Sequence, residues 1–234
     1  MKNKTFELVK ALMFAGIAIY IAISFNSSLA NLVQRSGISW VTSSIILRAI
    51  ISLSFARGFQ LFIKSIQPKF NSLLIFAIGI LIGFLISFGA QPIYNTDYGN
   101  YGITEMIIDI PELKIQTNNQ FDLNSKPAII AFFTSTCSHC KDASKKLGFI
   151  HTIGNSPQII SIFPGSKEDT ENFISENNGN SFIYHLINND KFFIETAGGS
   201  FPSVFLVDKE GNTIQHWFGD ELNYSALDLI KTHN

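Results

Sequence analysis

Lys126-Pro-Ala-Ile-Ile-Ala-Phe-Phe-Thr-Ser-Thr-Cys-Ser-His-Cys-Lys141 decides the reading of the C-terminal half of this chain. Pro127–Thr134 is a short, unbroken apolar run rich in β-branched and aromatic residues. Such runs suit a strand buried on both faces of a sheet. A helix is predicted directly after it, from Cys137. That placement gives the Cys-x-x-Cys pair a chemical meaning. The first thiol sits at a helix N-terminus, where unpaired N–H groups and the helix dipole favour an anion. The thiolate is the nucleophile. The second thiol lies within one turn and can attack a mixed disulfide, releasing the substrate. His139, between the two, adds positive charge or a hydrogen bond to the thiolate. It therefore makes the Cys137–Cys140 disulfide more oxidising.

Metals also bind Cys-x-x-Cys. A closed zinc site needs two further Cys or His ligands at matching spacing, and the chain has only two cysteines. A copper site using both cysteines and a histidine is the metal alternative. Two cysteines also exclude a small disulfide-stapled scaffold.

Working outward, Gln158–Phe163 is a second buried strand. Ser166-Lys-Glu-Asp169 has capping-box spacing and opens a helix predicted to about Asn177, with Gly179 as its stop. Ser203–Asp208 and Thr213–Phe218 are strands joined by the turn residues Lys209-Glu-Gly-Asn212, a hairpin. Leu222, Ala226, Leu229 and Ile230 have helical spacing. The order βαβα, then ββα, predicts an α/β domain with a central mixed sheet flanked by helices.

These pieces make residues 113–234 resemble the thioredoxin-like superfamily. The matching stretches are 126–141, Gly199-x-x-Pro202-x-x-x-Leu206-Val-Asp208, and Gly211-Asn-Thr213. The resemblance implies a thioredoxin-like fold and a thiol–disulfide oxidoreductase with Cys137 and Cys140 as catalytic residues. It implies no cofactor beyond that redox-active disulfide and no metal. It also implies a cis Pro202 beside the disulfide and a Phe201 backbone offered to an extended substrate chain. Phe201 and Pro202 are thus the substrate-binding candidates. The stretch between the predicted second helix and Pro202 is similar to the membrane-anchored TlpA/ResA-like branch, which works outside the cytoplasm. Two departures stand out. Cytoplasmic thioredoxins carry Trp-Cys-Gly-Pro-Cys where this chain has Thr136-Cys-Ser-His-Cys140. They also bury an Asp six residues ahead of the first cysteine, where this chain has Ala131. Glu195 or a water is the candidate substitute for that carboxylate.

The first half is of another kind. The whole chain has a net charge of −1 and 15% charged residues, which excludes a disordered protein and gives no support to nucleic-acid binding. Residues 1–93 carry eight Lys/Arg and one Glu; residues 94–234 carry nine Lys and seventeen Asp/Glu. Residues 11–34 and 70–96 are uncharged. A membrane span needs about 20 apolar residues, so three spans are predicted, at about 6–26, 38–63 and 72–91. A cleaved signal peptide fits the first poorly, because it lacks a small-residue cleavage site and more apolar sequence lies beyond it. The middle segment contains Arg48 and Arg57, a costly inclusion. If it lay on the surface, Lys64 and Lys69 would face outside. Three spans instead put Lys2, Lys4, Lys10, Lys64 and Lys69 on the cytoplasmic side, as the positive-inside rule asks.

Residues 1–93 contain no Cys and no His, which excludes an intramembrane thiol relay and His-ligated haem there. The run Arg48–Phe62 is faintly similar to the four-helix DoxX/MauE-type membrane proteins. Residues 94–112, rich in turn formers, are predicted as a linker. The organisation predicted is a helical membrane region (1–93), this linker, and the thioredoxin-like domain (113–234). The location predicted is the inner (cytoplasmic) membrane, multi-pass, with the soluble domain on the periplasmic or extracellular side. The function predicted is a membrane-tethered thiol–disulfide oxidoreductase. Its partners are protein thiols and disulfides, a membrane or extracytoplasmic redox partner, and membrane lipid. The alternative is a copper-chaperone-like or scaffold module of a membrane complex.

Overall fold

A computed structural model describes residues 2–91, 98–99, 102, 106–117, 122–123, 126–152 and 156–233. Most of the segment read as an exit from the membrane, 92–97 and 100–101, lies outside the described residues. The chain divides into two compact units, Met1–Tyr94 and Asn95–Asn234.

The N-terminal unit holds α1 (Lys2–Ile23), α2 (Phe25–Ser36), α3 (Trp40–Ile66) and α4 (Ser72–Ala90). Lys4–Ile23, α3 and α4 are each long and apolar enough to cross a membrane. Ser39 caps α3 by accepting the Thr42 N–H, and Asn71 caps α4 by accepting the Leu73 N–H. The helix α2 was not foreseen as a separate element. It buries only Phe25, Leu29, Ala30 and Val33, and Gly37 ends it in the left-handed conformation with φ 69°.

The packing of α3 on α4 depends on small residues. A Cβ at Gly79 would stand 2.8 Å from the Ala56 Cα, and one at Gly83 2.8 Å from the Ser52 Cα. Gly79, Gly83 and Ser87 recur every four residues, so one face of α4 lets the two backbones approach. Arg48 lies buried in the same seam. Its Nη1 donates to the carbonyl oxygens of Gln91 (2.7 Å) and Ser87 (3.2 Å), at the C-terminal end of α4. The rings of Phe25 and Phe88 flank it at 5.1 and 5.0 Å. This arginine is a packed charge: the carbonyl groups at the negative end of the α4 dipole receive it.

The C-terminal unit runs α5 (Ile110–Gln116), β1 (Ala128–Phe132), α6 (Ser138–Thr152), β2 (Gln158–Pro164), α7 (Lys167–Glu176), β3 (Ile183–Ile187), α8 (Asp190–Thr196), β4 (Ser203–Val207), β5 (Thr213–Phe218), a 3-10 turn Gly219–Glu221, and α9 (Tyr224–Thr232). The strands form one sheet in the order β3-β2-β1-β4-β5. β1, β2 and β3 are parallel, while β4 and β5 run antiparallel. Ile130 at the centre of β1 lies opposite Ile160 on β2 and Phe205 on β4. Every residue of β1 and β4 is buried, as an apolar run in a covered central strand requires.

The predicted βαβα and ββα pieces are present, with β3 and α8 added between them. β3 is an edge strand whose side chains are only partly covered, so its apolar pattern is weak, and α8 spans only 7 residues. Ser166 caps α7 by accepting the Asp169 N–H, as the capping-box spacing predicts. Asp208 Oδ1 accepts the N–H groups of Glu210 and Asn212, and Gly211 has φ 93°, closing the hairpin. Ile108 and Ile110, which the sequence left in the linker, are buried in the core with Leu113, Phe132, Phe193 and Phe205.

Candidate thiol–disulfide site

The site lies at the C-terminal end of β1, where the chain turns into α6. The Cys137 N–H donates to the Thr134 carbonyl (3.2 Å), and the Cys137 carbonyl accepts the Lys141 N–H (3.2 Å). Cys137 therefore occupies the N-cap position of α6. Its Sγ accepts the Cys140 N–H at 3.1 Å. The sulfur takes the place of a capping oxygen, one of the roles that helix ends leave open.

Cys137 is half-buried and Cys140 fully buried, both as free thiols. Burial pushes the Cys140 thiol far above its ordinary range, and the adjacent Cys137 sulfur pushes it further. The Thr134 backbone and hydroxyl act in the opposite sense by hydrogen bonding to it. The two cysteines thus differ in access: Cys137 can meet a partner, whereas Cys140 is a protonated reserve.

Opposite the sulfurs stands the turn into β4. The Phe201–Pro202 peptide is cis, as the resemblance implied. The Phe201 carbonyl is 3.7 Å from Cys137 Sγ and can accept its S–H. The Phe201 ring stacks on Phe193 at 5.1 Å, and the Pro202 carbonyl accepts the Gly219 N–H at 2.8 Å. These contacts hold the turn to α8 and to the end of β5. Just beyond it, Ser203 Oγ bonds His216 Nε2 at 2.8 Å, both fully buried. Phe205 stacks on the His216 ring and Phe218 meets it edge-on, each at 4.1 Å. Burial pushes His216 down to about 4.

The structure brings Cys137, Cys140, Phe201 and Pro202 together. His139 is exposed on the first turn of α6. Ala131 is buried on β1 and brings no carboxylate. Glu195 is exposed on α8 and pairs with Lys191 at 3.8 Å. Thr134 is the polar group that meets the Cys140 thiol, and sequence reasoning missed it. The available signal was a hydroxyl at the end of the apolar run Pro127–Thr134, three residues before the first cysteine. Among the described residues no group of three His, Cys, Asp or Glu is placed to hold a metal ion.

The unit has a thioredoxin-like fold. Four strands in the order β2-β1-β4-β5, a helix after β1 that carries the cysteine pair, and a cis proline opening β4 define it. The segment α7–β3 is an addition at the β2 edge. Solved structures similar to it include the thioredoxin domain of a thiol–disulfide oxidoreductase from Bacteroides vulgatus, at 22% identity over 61% of this chain and 100% of that one, with a TM-score of 0.40. A secreted Mycobacterium tuberculosis disulfide oxidoreductase homologous to E. coli DsbE matches at 18% identity over 48% and 87%, with a TM-score of 0.39. StoA from Bacillus subtilis matches at 18% over 46% and 83%, also at 0.39. No protein-family model matches the chain, and no curated protein sequence matches it.

Proposed function

We propose that this chain is a membrane-tethered thiol–disulfide oxidoreductase that acts outside the cytoplasm through Cys137-Ser-His-Cys140. One observation carries the reading: an accessible helix-capping sulfur 3.7 Å from the carbonyl before a cis proline, with its partner thiol buried one turn away. In the reductive direction, the Cys137 thiolate attacks a substrate disulfide and expels one substrate thiolate. Cys140 then gives up its proton and attacks Cys137 Sγ. The second substrate thiolate leaves, and two electrons have passed to the substrate as the Cys137–Cys140 disulfide forms. The oxidative direction is the same sequence reversed.

The half-buried backbone at Phe201, next to Cys137 and leading into the buried Pro202, is where an extended substrate chain would pair. His139, on the first turn of α6, tunes the potential of the pair; a change of about 30 mV corresponds to about 1.4 kcal/mol. Three apolar helices support the tether, and the clustering of Lys2, Lys4, Lys10, Lys64 and Lys69 supports a cytoplasmic N-terminus. The test is insulin reduction by the full chain in detergent, with a dithiol as electron source. Catalysis by the parent, lost in Cys137→Ser, is the expected result. Equal turnover by parent and variant would remove the cysteine pair from the activity.

A further inference from the structure

At one end of the N-terminal unit, the start of α1, the last turns of α3 and the start of α4 line an open cavity of about 360 Å³. Three cations line it, Lys4, Arg57 and Lys64, against a single carboxylate, Glu7. Glu7 is already engaged: its Oε1 lies 3.1 Å from Lys10 Nζ. Arg57 Nη1 donates to Gln60 Oε1. The Gln60 amide in turn donates to the Ser72 carbonyl and hydroxyl, at 3.0 and 2.8 Å. Neutral groups therefore hold the guanidinium in place, and among the described residues no carboxylate pairs with Lys4, Arg57 or Lys64. Three positive charges lining one cavity against one carboxylate leave it with a net positive charge that attracts an anion. Guanidinium and ammonium groups are both suited to the oxygens of a phosphate.

The wall is not wholly polar. Leu61 lines the cavity, and the adjoining surface exposes Phe62, Ile66, Phe70 and Leu73. An amphiphile whose anionic group enters while its chains lie along the helices fits that surface. If α1, α3 and α4 cross the membrane with the lysines inward, the cavity opens at the level of the cytoplasmic leaflet headgroups.

We infer that this cavity is a phosphate-binding site, suited to the phosphodiester headgroup of an anionic lipid. The inference rests on the reading of these helices as spans and is independent of the thiol chemistry.

The test uses the full chain in phosphatidylcholine nanodiscs with and without phosphatidylglycerol, with retained lipid counted by native mass spectrometry. The parent should retain phosphatidylglycerol over phosphatidylcholine by about tenfold or more. Arg57→Gln/Lys64→Gln should erase that preference. Lys69→Gln, a cation outside the cavity, should keep it. A thermal melt in pure phosphatidylcholine checks that the double variant is folded; if it is not, Lys4→Gln at the exposed start of α1 takes its place. Millimolar inorganic phosphate is the second arm. Phosphatidylglycerol that stays bound against it assigns the site to lipid, and displacement assigns the site to a soluble phosphate. Equal retention of the two lipids by the parent, with no stabilisation by phosphate, would overturn the inference. So would a loss in Lys69→Gln as large as in the double variant, because binding would then track general surface charge.

Discussion

Cys140 has its reactivity held back by burial and eased in part by the backbone and hydroxyl of Thr134. Desolvation favours the thiol, and the Thr134 hydroxyl favours the thiolate. Cys137 should therefore alkylate with iodoacetamide about tenfold or more faster than Cys140, and Cys140→Ser should trap substrates in mixed disulfides that Cys137→Ser does not form. Peptide mapping and non-reducing gels read both; preferential labelling of Cys140 would reverse the assignment. Thr134→Val keeps the shape and removes the hydroxyl. A hydrogen bond to a charged group is worth about 1.5–3 kcal/mol, so resolution of the mixed disulfide should slow by about ten- to a hundredfold in single turnover. The cysteine pair and Pro202 were legible in the sequence, because spacing and position carry their chemistry. Thr134 was not, because its role depends on where a buried sulfur lies. His216 was equally hidden, since nothing in Thr213–Phe218 marks which side chain meets Ser203. Its titration has a definite sign. The unfolded chain protonates His216 below its ordinary value of 6.5, while the folded chain resists until about 4. Stability is thus full above pH 6.5 and falls as pH drops towards 4, by about 3 kcal/mol across the window. His185, also held down by burial, adds with the same sign. Urea midpoints tracked by fluorescence at pH 7 and 4.5 should show the loss, and His216→Gln should remove about 2 kcal/mol of it. An unchanged slope in that variant would place the acid sensitivity elsewhere.

At the scale of elements, long periodic or unbroken apolar segments were legible and short ones were not. β1, β2, the hairpin, α7 with its cap, and three long helices arise from patterns that one covering partner suffices to explain. α2, β3 and α8 do not, because each is short or half-covered and is fixed by the neighbour it packs on. The same limit applies to Ile108 and Ile110, whose burial depends on the core closing over a segment rich in turn formers and acids. The α3–α4 seam is a further case. Gly79 and Gly83 look in the sequence like ordinary members of an apolar span, yet each faces the partner backbone. Gly83→Leu should force the helices apart. Overpacking costs about 1–3 kcal/mol or more, and Arg48, bonded to the end of α4, would lose its acceptors with it. Gly89→Leu is the matched control, since a Cβ there has nothing within 4 Å. A lowered melting temperature in detergent for Gly83→Leu alone is the expected result. Equal melts for both variants would show that the seam tolerates a side chain.

For the whole molecule, the two halves have opposite charge: residues 1–93 carry about seven net positive charges and residues 94–234 about eight net negative ones. The cation bias sets orientation, and an odd number of spans carries the C-terminal unit to the side opposite the N-terminus. Three spans from an inside N-terminus would therefore put both cysteines outside the cytoplasm, whereas two spans would return them to it. The cysteines themselves provide the reporter, since the chain has no others and Cys137 is the accessible one. In spheroplasts of a Gram-negative host, reduced and then washed, a membrane-impermeant maleimide should label Cys137 without detergent. Protease added outside should digest the C-terminal unit in the same preparation. Labelling that requires lysis, with the C-terminal unit protected, would mean that Arg48 and Arg57 lie in a segment that does not cross. The cysteine pair would then face a reducing compartment, and its disulfide would have to be judged against the cytosolic thiol pool. Protease and maleimide report different groups, backbone and thiol, so their agreement separates a true outside location from leakage of the probe.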